Sequence, residues 1–243
     1  MSACVSLNHG ACGRSVGKSA CAPTDRHPDP SVCRSSAAAT KRLTQAHPLW
    51  WDRDMYLAST PEANDLLERN PLALLIAMVL DQQIPMEKAF TSPEVLRERL
   101  GGKLDVRTIA GHDADAFEQL FRLTPALHRF PAAMAKRVQE LARVLIDRFD
   151  ADATKVWTGA ATGAELVDRI AQLPGFGAQK AKIFAALLGK QFGVRPPGWR
   201  EAAGDYGVDG SQWSIADVVD AESLRAVRTH KQLMKAAAKA AQG

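Results

Sequence analysis

The run Leu173-Pro174-Gly175-Phe176-Gly177-Ala178-Gln179-Lys180-Ala181 holds the most chemical information in the 243 residues. Two glycines flanking one apolar residue let the backbone turn sharply, and the amides that follow open a helix whose N-terminus favours an anion. Gly175, Phe176, Gly177 and Ala178 thus form a hairpin that offers backbone amides to a phosphate, with the Phe176 ring placed to pin the turn against a core. Lys180 and Lys182 read either as further phosphate contacts or as a solvated helix face. Contacts of this kind hold a nucleic-acid backbone without reading its sequence. A second cluster, Leu80-Asp81-Gln82-Gln83-Ile84-Pro85, ends an apolar run and presents two glutamines. A third, with Trp199, Arg200, Tyr206 and Trp213, mixes rings with a cation as a base-stacking substrate pocket would. The same residues would equally staple a loop onto the core.

Helices must position these groups. Pro61 followed by acids is a helix start signal, and Leu72–Leu80 is apolar on all sides, as a buried core helix of about ten residues would be. Further amphipathic stretches are predicted near 93–100, 113–121, 131–149 and 163–172. In the third of these, Met134, Val138, Leu141, Val144 and Leu145 recur at helical spacing. No stretch alternates convincingly with period two, so the expected fold class is all-α. The apolar run is too short to span a bilayer, so no membrane partner is expected.

Charge and cysteine usage separate the first 48 residues from the rest. They contain all four cysteines, at spacings that match no zinc knuckle, and lack any hydrophobic period. They read as a disordered leader, or as residues upstream of a true start near Met55. The formal net charge of +4 sits wholly in this segment. Within the remainder, residues 172–243 hold ten basic residues against six acidic ones, whereas residues 49–171 are acidic by four. The positive end of the chain is therefore the one that carries the hairpin.

On the hairpin and the glutamine-bearing loop, over roughly residues 60–190, the chain resembles the helix-hairpin-helix DNA glycosylase superfamily, most closely an actinobacterial branch of it. Met134-Ala-Lys-Arg137, about forty residues before the hairpin, adds to the resemblance. It implies two helical subdomains flanking a cleft, with residues 49–243 as the domain, an insertion at 195–216 and a last helix over 221–241. It also implies double-stranded DNA as the partner, a monomer, and a cytoplasmic, nucleoid-associated location. The function implied is base-excision repair by a monofunctional N-glycosylase acting on a base flipped out of the duplex. Gln83 matches the glutamine that fills the vacated stack in such enzymes, with Gln82 as the neighbouring option.

Two departures qualify the likeness. The lyase lysine of bifunctional members falls on Gln179, and Lys180 is turned about 100° away on the helix, so lyase chemistry is not expected. The slot for the carboxylate that stabilises a cationic sugar falls on Pro196. Asp220 becomes the leading candidate, with Asp217 and then Asp205 behind it, although Asp220 also suits an ordinary helix N-cap. A catalytically silent DNA-structure binder is the alternative. No cysteine follows Cys33, so no iron–sulfur cluster is expected, and no metal ligand set appears. The resemblance allows a monovalent cation at the hairpin carbonyls.

Overall fold

The structure, a computed structural model, describes residues 55–240; the leader assigned to residues 1–48 lies outside them. Among the described residues the chain is all helical, with no strand. Six helices come first: α1 (Pro61–Arg69), α2 (Pro71–Leu80), α3 (Met86–Arg99), α4 (Val106–Gly111), α5 (Ala114–Arg122) and α6 (Pro131–Phe149). The hairpin half follows with α7 (Lys155–Thr158), α8 (Gly163–Ala171), α9 (Ala178–Gln191), α10 (Trp199–Ala203) and α11 (Ala221–Ala240). Two single 3-10 turns, Gly204–Gly207 and Ile215–Asp217, lie between α10 and α11.

Local signals start these helices. Thr60, Asn70, Asp105, Asp113 and Thr162 each accept a hydrogen bond from a backbone amide in the first turn of the helix they precede, which satisfies donors that have no partner within the helix. Helix α2 is buried at every position from Leu72 to Leu80 and forms the central rod, packed by α1, α3 and α6. The sequence predicts a helical stretch near 93–100; the helix starts at Met86 and carries Pro93 inside it. Hydroxyls of Thr91 and Ser92 accompany that interruption, donating back to the carbonyls of Glu87 and Lys88.

Packing sorts into two groups, α2 with α1, α3 and α6 and with α4 and α5 laid on α6, and α9 with α8, α10 and the two 3-10 turns and with α7 laid on α8, while one apolar cluster runs through both. In the second group Phe184 of α9 sits between Trp157 and Phe176, with ring centroids 6.0 and 5.7 Å away. Helix α10 lies close on α8 and α9 because glycines make room for it. A Cβ at Gly189 would come within 2.4 Å of the Trp199 ring, and one at Gly163 within 2.4 Å of the Trp199 Cα.

Of the two roles expected for Trp199, this placement gives it that of a staple. Trp199 is buried and acts as the staple of its loop. The guanidinium of Arg200 lies 4.6 Å from the Trp199 ring centroid and pairs with Asp209 at 2.7 Å. Trp213 stacks on His230 of α11, with ring centroids 5.6 Å apart. No helix among the described residues is long and apolar enough to cross a membrane.

Candidate functional site

The hairpin forms between α8 and α9. The amide of Phe176 donates to the carbonyl of Leu173 at 3.1 Å, with Pro174 and Gly175 as the central residues and Gly175 at φ +85°. This is a type II turn, whose third residue needs a positive φ and therefore glycine. Leu173 and Phe176 are buried, so Phe176 holds the turn from inside and does not face a ligand, which corrects its place among the DNA contacts. Gly177 caps α9 with no side-chain acceptor, and Gly177, Ala178 and Gln179 are exposed. The first amides of α9 therefore point outward without a side-chain partner, as an anion site at a helix N-terminus requires.

The other lip of the site is the loop after α2. Gln83 is exposed and takes φ +56°, a conformation that side chains larger than glycine rarely adopt and that is often found at working sites. Its neighbour Gln82 is fully engaged: the side-chain amide donates to Val79 O at 2.8 Å, and Oε1 accepts from Arg137 at 3.2 Å. Gln82 is thus a helix cap and an anchor for Arg137, which leaves Gln83 as the residue free to act. His128 fixes the loop from below. Its Nε2 meets the Gln82 carbonyl at 2.8 Å, while Nδ1 accepts from the Phe130 amide at 3.0 Å, an arrangement that suits the neutral ring.

Burial holds the His128 pKa below its usual value, ahead of the bond to Gln82 that raises it. The unfolded chain binds this proton more readily, so His128 contributes stability above pH 6.5 that is lost as the pH falls below that value. We expect thermal unfolding between pH 7 and 5 to show a fall in Tm that shrinks in His128→Asn. An equal fall in both proteins would refute the role.

Two contacts tie the lips together. Arg137 of α6 passes beneath the turn, where a Cβ at Gly175 would approach its Cδ to 2.8 Å. Lys180, in the first turn of α9, reaches across to donate to Met78 O at 2.7 Å. This ammonium at the C-terminus of α2 is favourably placed against the helix dipole. Desolvation nevertheless lowers its pKa to about 8, with Asp81 acting in the opposite sense. Lys180 is therefore a half-buried tie and not the open phosphate contact expected as one alternative. Lys182 is exposed on α9, and Gln179 donates to the Tyr206 hydroxyl at 2.8 Å, which joins the insertion to the hairpin helix.

The carboxylates fall out differently from expectation. Asp217 is buried, with its side chain 4% exposed, and both of its oxygens are occupied. Oδ1 accepts from Lys190 at 2.5 Å and from Ser211 at 3.0 Å, while Oδ2 accepts from the amides of Trp213 and Ser214. It closes a capping box and holds the loop, so its oxygens are committed to structure. Asp220 is exposed and accepts from the amide and the hydroxyl of Ser223, which holds its pKa below the usual range. It is the N-cap of α11. Asp205 is exposed. The carboxylate at the site itself is Asp81, which sequence reasoning quoted within the glutamine motif and passed over.

No group of three His, Cys, Asp or Glu side chains among the described residues could hold a metal ion. Fold and site thus define an all-helical protein in which a glycine hairpin with an open helix N-terminus faces a strained, glutamine-bearing loop. Compared with known proteins, the chain matches no family model and no curated sequence.

Proposed function

We propose that this protein binds duplex DNA through the hairpin and removes a damaged or mispaired base, extruded from the helix, as a monofunctional N-glycosylase of base-excision repair. The observation that carries the reading is the coupling of two features by short contacts. An outward-facing α9 N-terminus suited to a backbone phosphate is tied, through Lys180 to Met78 and Arg137 to Gln82, to an exposed Gln83 in a left-handed conformation. A protein that extrudes a base needs both: a grip on the backbone and a side chain to occupy the vacated stack.

Charge supports the same face. Arg225, Arg228, Lys231, Lys235 and Lys239 of α11 fall within an arc of about 120° at helical spacing, and no acidic residue follows Glu222. Arg228 pairs with Glu87, which fastens that helix beside the glutamine loop. Lyase chemistry is not part of the reading, because Gln179 stands at the nucleophile position and is bonded to Tyr206.

A second reading, a silent DNA-structure binder, draws on Pro196 at the family's carboxylate slot and on the structural engagement of Asp217 and Asp220. Incubation with duplexes bearing deaminated, oxidised, alkylated and mismatched bases separates the two. Release of a free base is the expected result, and salt-dependent binding without release would establish the silent binder. Absence of salt-dependent binding would overturn both.

A further inference from the structure

Asp81 differs from the other acids that the chain uses for structure. Asp105, Asp113, Asp217 and Asp220 all accept hydrogen bonds from backbone amides. Asp81 is partly buried just past the end of α2, yet no described residue donates a hydrogen bond to its carboxylate. The charges that act on it are those of Lys231 from α11, Lys180 from the hairpin helix and Glu87 from α3. A partly desolvated carboxylate with no structural partner is an expense to the fold, and such groups concentrate at working sites.

Its location gives that work a direction. Asp81 lies two residues before Gln83, so their backbones are within about 8 Å of each other. Lys180 has its backbone in the first turn of α9, where a phosphate would sit, and its amine at the carbonyl of Met78, three residues before Asp81. One side chain therefore links the backbone grip to the carboxylate.

Resting on the glycosylase reading, we propose that Asp81 is the catalytic carboxylate that faces the sugar of the extruded nucleotide, and that Lys231 and Lys180 are the positioning residues that keep it ionised. In the reaction the bond from C1′ to the base nitrogen breaks and its electron pair leaves with the base, so positive charge develops on the sugar. Ionised Asp81 stabilises that charge, and its partial burial strengthens the interaction. A water oxygen then bonds to C1′ and its surplus proton passes to Asp81 and on to solvent, while the departing base takes a proton from solvent. Asp217 and Asp220 have no part in this step.

The assignment predicts opposite effects on stability and activity. Burial raises the Asp81 pKa above 3.8, ahead of the lowering by Lys231 and Lys180, so the ionised form opposes folding at neutral pH. In the full-length chain, Asp81→Asn should raise Tm and leave duplex affinity within about threefold, yet lower base release from the same lesion panel at least about 100-fold. Lys180→Gln should move the acidic limb of the pH–rate profile upward, because less positive charge then favours ionised Asp81, and Lys180→Arg should restore it. Wild-type protein that releases no base overturns the glycosylase reading and this assignment with it. Release that survives Asp81→Asn overturns this assignment alone. Loss of release together with a lower Tm would make Asp81 structural and also overturn it.

Discussion

Replacing Ala178 by aspartate is expected to abolish duplex binding while leaving the protein at least as stable as before. Ala178 is exposed at the first position of α9, directly after the uncapped Gly177. A carboxylate there meets the positive end of the helix, which stabilises it by about 0.3–1 kcal/mol. The same carboxylate occupies the place of a phosphate and repels it, and like charges brought together at an interface cost several kcal/mol. Affinity for a plain duplex at low salt should therefore fall at least about 100-fold, measured by fluorescence anisotropy, with Tm unchanged or raised. Gly175→Ala provides the contrast. At φ +85° an alanine is strained by roughly 1–2 kcal/mol, and its Cβ would press on Arg137 Cδ, so stability and binding should fall together. Ala178→Asp that binds normally would remove the phosphate from the hairpin.

The division between what sequence could show and what it could not follows the range of the interactions. The hairpin was legible because its turn is chosen locally: proline and glycine at the centre of a type II turn, and a glycine before an amphipathic run. Helix α2 was legible because nine consecutive apolar residues leave no face for solvent. The first turns of helix α3 are not legible in sequence, because a proline is disfavoured in a helix interior and yet Pro93 lies within this one. Trp199 was offered as either pocket or staple, and its neighbours decide between them. The decisive signal was two distant glycines, Gly163 and Gly189, whose missing side chains make the slot. The carboxylates were least legible of all. Asp217 meets Lys190 across 27 positions of sequence, and the charge of Lys180 acts on Asp81 from nearly a hundred positions away, so neither spacing encodes the relation.

Asp217→Ala is expected to be the most damaging single substitution among the acids, and to act through folding alone. It would leave Lys190 nearly buried, at 12% side-chain exposure, without its counter-charge, and would remove the acceptor of the Trp213 and Ser214 amides. Removing one member of a buried ion pair costs about 3–5 kcal/mol, because the other is left desolvated and unpaired. By contrast Asp220→Ala loses a solvent-exposed N-cap and should cost much less. Urea unfolding measures both differences. A paired replacement, Asp217→Leu with Lys190→Met, should recover much of the loss, since apolar groups of similar volume often replace a buried pair at little cost. Recovery would be incomplete by the amount that the two amides and the Ser211 hydroxyl contribute, because they have no acceptor in the double variant. If Asp217→Ala unfolds like the wild type but fails in base release, the buried pair is not what holds this loop, and the carboxylate returns as a candidate for the chemistry.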